Sequence, residues 1–449
     1  MKDFKKLLAD KIKNGEHVAL YCYGILASHM ICSLEKFYGV LPEVVIDNDE
    51  QKRGTAEFDI PVMPFAEAQE RYEALQYFIC SDDFKYSIIG DMLEKGIKPE
   101  NIINYVPVEK KRSCLYFSNR LMPTVTSSED GTHRIVHCND DSHKSECLST
   151  PIPIGSGGYE DMQKLMDQVS EDFKADKIAC CETCPMKRVQ YMVSETYDKP
   201  YKQVVLYHED YRDCIVHCVY CSNDHTLGDR TAGGHRKPSF RWERAEQYRR
   251  FLSQVFSLDK KVDDDFSCAI DMSERDLDKK IGFCVDSMQA AGLSPMAYKI
   301  SSCLLTYGEN LADLMRRGMV YVIWSVDAGT RETYKKIKQI DAFDQVLKTV
   351  ERYIEEDMFH GRFIVAKYLI VKGINDNEEE FNAFLDIVGR FGLSYVSISY
   401  DFFADANEED MEFIRNCNSK VEKAGLKLAY KNSFKQISQA LQLKSIYTQ

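Results

Sequence analysis

Cys214-Ile-Val-His-Cys218-Val-Tyr-Cys221 is the stretch of sequence that determines how this chain is interpreted. It places three cysteines at CxxxCxxC spacing in a chain with 16 cysteines among 449 residues. A lone CxxC is expected by chance roughly 0.6 times in such a chain, but the triple only roughly 0.02 times. An iron–sulfur cube normally takes four cysteine ligands. Three thiolates on one loop therefore predict a cube with one open iron, and buried inert cysteines are the alternative.

Composition limits the classes of protein to which the chain can belong. The length suggests two or three domains, and a hydrophobic fraction of 44% is enough for proper cores. The net charge of −13 argues against nucleic acid or an anionic membrane as a partner, and no apolar run has the length of a membrane span. The amino terminus has an amphipathic helix pattern without a secretory segment, so we expect a cytoplasmic protein. There, cysteines are more often free thiols or metal ligands than disulfides. Single cysteines in apolar strand or helix contexts are expected to pack in the core, and these are Cys22, Cys32, Cys80, Cys268, Cys284 and Cys303.

Residues 1–108 alternate predicted strands with predicted helices, which indicates a parallel sheet. The predicted strands are His17–Gly24, Pro42–Asp47, Ile60–Met63 and Gln76–Cys80. Asp47 follows the first glycine turn by about twenty residues, where a dinucleotide-binding fold places its ribose-binding acid. The turn itself has one glycine where GxGxxG needs three. We predict a Rossmann-like scaffold or partner surface that does not bind NAD; it resembles the small domains attached to sugar-modifying and cell-surface-polymer enzymes.

Residues 201–449 return to regular alternation, with a helical pattern between nearly every pair of predicted strands. The six predicted strands are Gln203–Tyr207, Phe266–Ile270, Ala297–Ser301, Val320–Val326, Phe363–Val371 and Tyr395–Tyr400. The predicted helices are Arg244–Phe256, Glu274–Ala290, Glu309–Arg317, Ala342–Glu356 and Glu378–Phe391. Six such units without a dinucleotide glycine loop favour an open barrel. The cysteine loop follows the first strand, at the carboxyl end of the strands, where active sites of βα barrels lie.

The three cysteines, with the aromatic Tyr220 before the last of them, resemble the signature of the radical SAM superfamily. The resemblance extends from about residue 203 to about residue 430. It implies that Cys214, Cys218 and Cys221 hold a [4Fe–4S] cluster whose open iron binds the amino and carboxylate groups of S-adenosylmethionine (SAM). It also implies an electron donor of the flavodoxin or ferredoxin type. SAM would be cleaved to methionine and a 5′-deoxyadenosyl radical, which takes a hydrogen atom from the substrate.

Further positions are similar to SAM-contacting positions of that superfamily, and with Tyr220 they form the expected SAM site. Ser273 and Glu274 follow the second strand in place of a glycine-glycine-glutamate-like turn that holds the SAM amino group, although the glycines are absent. Ser325, at the strand end Ser325-Val-Asp327-Ala-Gly, is expected near the SAM ribose, and Asp327 is expected to cap the next helix. Lys338 replaces an arginine that meets the SAM carboxylate, which loses a bidentate fork. The alternatives are a helix N-cap formed by Ser273 or Asp271 and a solvated helix face for Lys338.

Residues 109–200 are loop-rich and contain a second set of cysteines. Cys114, Gly131, Cys138 and the later Cys181-Glu-Thr-Cys184 resemble the auxiliary-cluster part of SPASM and twitch domains. The resemblance implies a second, fully ligated [4Fe–4S] cluster, in a module placed before the barrel instead of after it. Other candidate ligands are Cys147, Cys180, His137 and His143. A structural zinc site built from the same residues is the alternative.

The sequence thus predicts an α/β chain in three parts. These are an N-terminal Rossmann-like domain (1–108), a small cysteine-rich module (109–200) and a partial (β/α)6 TIM-like barrel (201–449). The predicted function is that of a radical SAM enzyme acting on a sugar, a nucleotide-sugar or a peptide, and the Rossmann-like domain favours the sugar. The alternatives are a non-catalytic iron–sulfur protein for electron transfer or sensing, and a zinc-bound scaffold with a degenerate barrel.

Overall fold

The structure is a computed structural model in which the chain forms two compact units. It describes residues 3–82, 84–114, 120–121, 123–125, 132–136, 149–153, 168, 171–172, 175, 177, 187–194, 201–208, 214–220, 262–271, 274–401 and 407–429. The first unit comprises Met1–Tyr207, Trp242–Ala269 and Cys284–Tyr298, and the second comprises His208–Arg241, Ile270–Phe283 and Lys299–Gln449.

The amino-terminal part of the first unit is a five-stranded sheet with helices between its strands. Its elements are α1 (Phe4–Lys13), β1 (Val18–Tyr21), α2 (Ile25–Tyr38), β2 (Val44–Ile46), β3 (Gly54–Thr55), β4 (Pro61–Met63), α3 (Phe65–Arg71), β5 (Gln76–Ile79) and α4 (Lys85–Glu94). The strand order is β3-β4-β2-β1-β5. The pairs between β4, β2, β1 and β5 are parallel, and β3 is antiparallel to β4. All four residues of β1 are buried, as expected for a parallel strand covered on both faces.

Asp47 lies just after β2, and its carboxylate is bound to its own surroundings. It accepts hydrogen bonds from the backbone N–H groups of Tyr23 (2.8 Å) and Asp49 (2.9 Å), and Lys52 Nζ lies 2.9 Å from it. The residue at the expected ribose-binding position thus holds the turn that follows β1. This arrangement gives Asp47 a structural reason to be acidic that is independent of any nucleotide.

The rest of the first unit is antiparallel sheet and the first strands of the predicted barrel. Its strands are β6 (Val108–Cys114), β7 (Arg120–Leu121), β8 (Pro123–Val125), β9 (Thr132–Val136), β10 (Ser149–Pro153), β11 (Lys187–Val193), β12 (Tyr201–His208) and β13 (Val262–Asp271). Strands β6 and β11 pair with each other, and β10-β9-β8-β12-β13 is a run of neighbours. Cys114 ends β6, whereas Cys138, Cys181 and Cys184 lie outside the described residues.

A buried ionic group, here called the Asp265 cluster, joins β12 and β13 to the end of β5 and the start of α4. Lys85 Nζ lies 2.6 Å from Asp263 Oδ2 and 2.8 Å from Asp265 Oδ1. Lys202 Nζ lies 3.1 Å from Asp265 Oδ2, which also accepts from Asn104 Nδ2 (2.6 Å). All five side chains are buried. The two lysines offset the acids, which lets this strand start at Val262 instead of the predicted Phe266.

The remaining elements lie in the second unit, except that residues Cys284–Tyr298 among them belong to the first unit. In chain order these elements are α5 (Leu277–Ala290), β14 (Tyr298–Ser302), α6 (Glu309–Arg316), β15 (Val320–Ser325), α7 (Arg331–Lys338), α8 (Phe343–Glu356), β16 (Ile364–Ile370), α9 (Glu378–Arg390), β17 (Tyr395–Tyr400), α10 (Glu408–Lys423) and β18 (Lys427–Leu428). Strands β14-β15-β16-β17-β18 are neighbours in that order, and the pairs from β15 to β18 are parallel. The carboxyl ends of β15 to β18 therefore lie on one edge.

The six strands predicted for residues 201–449 are present as β12 to β17, and the α/β class with a parallel sheet is confirmed. Four of the five predicted helices are present with ends shifted by up to three residues, while Arg244–Phe256 lies outside the described residues. Helix α10 and strand β18 were not predicted. In the described part of the chain, no helix combines the length and apolar character that crossing a membrane requires.

Candidate active site

The described part of the cysteine loop, residues 214–220, lies against the carboxyl end of α7. His217 N–H donates to the carbonyl of Lys338 (3.2 Å), and Val219 N–H donates to the carbonyl of Ile337 (2.9 Å). The last carbonyls of a helix have no partner within the helix. Here the loop supplies two of those partners, so its path past Cys214 and Cys218 follows the end of α7. Cys221 lies one residue beyond the described loop.

Tyr220, Asp327 and Lys338 form a buried hydrogen-bonded group, here called the Lys338 triad. Lys338 Nζ lies 2.6 Å from Asp327 Oδ2 and 2.8 Å from the Tyr220 hydroxyl, and that hydroxyl donates to Asp327 Oδ2 (2.5 Å). Lys338 and Asp327 are both 0% exposed. Burial lowers the pKa of Lys338, but Asp327 and neighbouring thiols overcome that effect and raise it well above its ordinary value. The solvated helix face considered for Lys338 is therefore wrong.

Asp327 is at the centre of the turn after β15, and it does not cap α7. It takes a left-handed backbone conformation (φ 55°). Its Oδ1 accepts from Leu369 N–H (2.8 Å), and Asn375 Nδ2 donates to its carbonyl (2.9 Å). The N-cap of α7 is Thr330, whose hydroxyl accepts from Thr333 N–H. The sequence predicted the cap three residues early, because an aspartate next to a helix start is a common cap. In the structure the buried carboxylate of Asp327 pairs with Lys338 instead.

The glycine of this motif is required by close approach to α9. A Cβ at Gly329 would lie 2.4 Å from both the carbonyl of Glu380 and the backbone N of Phe384. The Glu380 carboxylate accepts from Gly329 N–H (2.6 Å), Thr330 N–H (2.9 Å) and the Thr330 hydroxyl (3.0 Å). An acidic group at a helix start also stabilises the helix dipole. Helix α9 thus fixes the start of α7, and α7 in turn carries Lys338.

Glu274 lies at the carboxyl end of β14 and holds the backbone there. Its carboxylate accepts from the Ser302 hydroxyl (3.2 Å) and from Cys303 N–H. Burial raises the pKa of Glu274, although these donors oppose that shift. Ser273 lies outside the described residues. The structure therefore brings Glu274 to the same strand ends as the cysteine loop, with its oxygens engaged by the chain after β14.

Cys303 is buried, as expected for a core cysteine, and it also lies at the candidate site. It is buried beside Cys218, and a hydrogen bond from Cys303 lowers the pKa of Cys218, to which the positive charge of Lys338 also contributes. Burial raises the pKa of Cys214 to about 11. The available signal was its position, since Cys303 directly follows the third predicted strand and so lies at the carboxyl edge of the sheet.

Ser325 and Lys367 complete the described site. Ser325 is the last residue of β15, and its partner in β16 is Lys367. Both are partly exposed, whereas every other residue of β16 is buried. Lys367 Nζ lies 5.6 Å from the centre of the Tyr220 ring, and Lys338 Nζ lies 5.2 Å from it. The Tyr220 ring is thus close to two lysines, of which only Lys338 also binds its hydroxyl.

The chemistry of these donors fits a sulfur-ligated cluster. Cys214 and Cys218 are free thiols on one loop, and the buried cation of Lys338 favours the thiolate form of Cys218, which is the form that binds metals. Among the described residues no group of three or more cysteine, histidine or acidic side chains could hold a metal ion. The third predicted ligand, Cys221, is outside them, as are three of the four cysteines expected for the second cluster.

Two of three comparisons relate the chain to known proteins. Residues 209–388 match the model of the Radical SAM superfamily. Among solved structures, the chain resembles a radical SAM methyltransferase from Sphaerobacter thermophilus at 13% identity, covering 48% of this chain and 62% of that chain, with a TM-score of 0.35. A search of curated proteins finds no match.

Two further solved structures show likeness of the same size. One is native anSMEcpe with bound AdoMet and Cp18Cys peptide, at 12% identity over 50% of this chain and 63% of that chain, with a TM-score of 0.37. The other is methylornithine synthase, at 12% identity over 50% of this chain and 63% of that chain, with a TM-score of 0.33. The chain spans less than two thirds of the length of each of these proteins.

Proposed function

We propose that the chain is a radical SAM enzyme, through its domain at residues 209–388, and that it cleaves SAM reductively and takes a hydrogen atom from a sugar, a nucleotide-sugar or a peptide. A [4Fe–4S] cluster held by Cys214, Cys218 and Cys221 would supply one electron to SAM, and this chemistry would give methionine and, with a hydrogen atom from the substrate, 5′-deoxyadenosine. The observation that carries this proposal is the cysteine loop docked on α7 at the carboxyl ends of β15 and β16. A protein that only transfers electrons has no need of that arrangement.

The residues of the site have separable proposed roles. Cys214, Cys218 and Cys221 ligate the cluster. Ser273 and Glu274 lie on the side of the SAM amino group, although the hydrogen bonds that Glu274 accepts from the chain after β14 limit how freely its carboxylate can reorient. Ser325 is partly exposed at the end of β15 and is available to the SAM ribose.

A direct test of SAM cleavage uses protein reconstituted anaerobically with iron and sulfide. With dithionite and SAM, the wild-type chain is expected to form 5′-deoxyadenosine and methionine in equal amounts. A variant with Cys214→Ala, Cys218→Ala and Cys221→Ala is the control and is expected to form neither product. Wild-type protein that binds a cluster without making product above this control would instead support the non-catalytic electron-transfer or sensing function.

The second part of the proposal concerns residues 109–200, with Cys114, Cys138, Cys181 and Cys184 as ligands of an auxiliary [4Fe–4S] cluster. Full cysteine ligation suits electron transfer or structural support. The triple cysteine variant tests it, because that variant removes only the first site. Iron and sulfide near four each per chain are expected to remain, whereas zinc without sulfide would support the structural zinc alternative.

The third part concerns the amino-terminal domain and the substrate. We propose that residues 1–108 form a Rossmann-like domain and residues 201–449 form the barrel. The Rossmann-like domain favours a sugar-bearing substrate. We also propose a flavodoxin- or ferredoxin-type electron donor and a cytoplasmic setting. Deuterated nucleotide-sugars and deuterated peptides, offered in parallel, separate the two substrate classes. The true class transfers deuterium into 5′-deoxyadenosine; transfer from neither would remove both classes from the proposal.

A further inference from the structure

We propose that Lys338 is a positioning residue whose buried pair with Asp327 fixes Tyr220 and the cysteine loop, and whose charge makes the cluster on that loop easier to reduce. This inference rests on the proposed function, since it requires a cluster ligated by the loop. It changes the role expected for Lys338 from a direct contact with the SAM carboxylate to an indirect action through Tyr220.

The charge of Lys338 is not accessible to solvent. Its side chain is 0% exposed. A lysine ammonium has three donors, and two of them are used, toward Asp327 Oδ2 at 2.6 Å and the Tyr220 hydroxyl at 2.8 Å. Turning the ammonium toward a ligand would leave a buried carboxylate without its cation, which is strongly unfavourable.

Lys338 also binds the cysteine loop through its backbone carbonyl. The carbonyl of Lys338 accepts from His217 N–H, and the preceding carbonyl accepts from Val219 N–H. Tyr220 lies between Cys218 and Cys221 in the sequence. Backbone bonds on one side and a side-chain bond to Tyr220 on the other therefore constrain the loop at successive positions, and the ligand geometry depends on Lys338 at both.

The charge of Lys338 acts electrostatically on the reduction of a cluster held by the loop. Reduction adds one negative charge to a cluster, and a nearby cation in a low-dielectric interior stabilises the reduced form. Charge and hydrogen bonds around the ligands are the means by which proteins tune iron–sulfur potentials. Asp327 partly offsets the lysine, so the size of the effect reflects the pair. The direction is set by which member is removed.

The test measures the midpoint potential of the SAM-site cluster by EPR-monitored titration, together with iron and sulfide content. Lys338→Met keeps the length of the side chain and removes the charge, and the potential is expected to become more negative. Asp327→Asn is expected to move it in the positive direction. The double variant removes a neutral pair, avoids an isolated buried charge, and is expected to lie between wild type and Lys338→Met.

Lys336→Met is the matched control, because Lys336 lies on the exposed face of the same helix and pairs with Glu332 at 2.8 Å. It is expected to match wild type in potential and iron content. Tyr220→Phe keeps both charges but loses the hydroxyl, so it is expected to retain less iron with little change in potential. Lower iron content in Lys338→Met at an unchanged potential would overturn the electrostatic part and leave a purely structural lysine.

Failure of the inference and failure of the proposed function are distinguishable. If the wild-type chain binds no sulfide-containing cluster on the loop, the proposed function fails. If wild type binds the cluster and forms 5′-deoxyadenosine, but the double variant and both single variants share its potential and iron content, the inference alone fails. The double variant keeps the test decisive if Lys338→Met does not fold.

Discussion

Two buried lysine–aspartate groups can be compared, the Asp265 cluster in the first unit and the Lys338 triad in the second. Both contain fully buried lysines and carboxylates at hydrogen-bonding distance. In the Asp265 cluster the further partner is Asn104, an uncharged side chain in the chain after α4. In the Lys338 triad it is Tyr220, which belongs to the cysteine loop. The same pairing thus joins strands in one place and contacts the cysteine loop in the other.

The two ion pairs are similar, so the difference between the groups lies in the further partner, Asn104 in one and Tyr220 in the other. We infer that this partner indicates the role of each buried pair. Buried pairs are weak evidence for stability, because the cost of removing two ions from water consumes much of their attraction. Breaking such a pair by removing one member is nevertheless severe. The two groups should therefore respond alike in stability but differ in their effect on a cluster.

The largest expected effect is from Asp265→Ala. This change leaves Lys85 and Lys202 buried without the carboxylate that both contact. The free energy of unfolding is expected to fall by about 3–5 kcal/mol, measured by chemical denaturation. Asp264→Ala, at a partly exposed position of the same strand, is the control and should cost much less. A shifted cluster potential in folded Asp265→Ala protein would contradict the division of roles drawn above.

Asp357 is a buried carboxyl that accepts from backbone donors, so it can be compared with the lysine-paired carboxylates of the two groups. Burial raises the pKa of Asp357 to about 6, while the backbone N–H of Gly361 opposes that shift. Because the pKa of Asp357 is raised in the folded state, its protonated carboxyl favours the folded state, and this stabilisation is fully present below the unfolded pKa near 4. The stabilisation is lost as pH rises through the folded pKa of about 6. Asp357→Asn is expected to stabilise the protein at pH 8 by up to about 3 kcal/mol. The advantage, measured by urea denaturation, should shrink toward pH 4; a constant difference would reject this cause.

The smallest expected effect is from Thr330→Ala, at the N-cap of the helix that carries Lys338. Loss of the hydroxyl removes the acceptor for Thr333 N–H and a donor to Glu380, and the expected cost is about 1 kcal/mol. Thr330→Ser keeps the cap and is the matched control in thermal unfolding. If α7 positions the loop as a rigid element, Thr330→Ala should also lower iron retention slightly. Equal iron retention in both variants would place the anchoring in the carboxyl end of α7 alone.

Local patterns predicted most of the regular elements. Short apolar runs identified β12 to β17 to within a few residues at most ends, because these strands are apolar enough to be recognised without their neighbours. The early start of β13 was missed, because Asp263 and Asp265 are acidic and only Lys85 and Lys202 make their burial possible. Nothing near Asp263 in the sequence signals a lysine that lies 178 positions away.

The site divides in the same way. The spacing of the cysteines and the positions of Ser325 and Glu274 were visible as motifs, and the structure brings those described residues to the carboxyl ends of the strands. Cys303 was assigned to packing, since a lone cysteine after an apolar strand has no signature of its own. Asp327 was expected to cap a helix, and its actual partners are Lys338, Tyr220 and Leu369.

By itself, the sequence predicted the α/β class, the order of strands and helices, and the resemblance of the cysteine motif to a known superfamily. These features depend on periodicity and on residue spacing, both of which are local. Only the tertiary structure decided that Lys338 is buried, that Asp327 is its partner, and that α7 holds the cysteine loop. A charge can be buried only where an opposite charge from a different part of the chain meets it, and that meeting is a property of the folded chain.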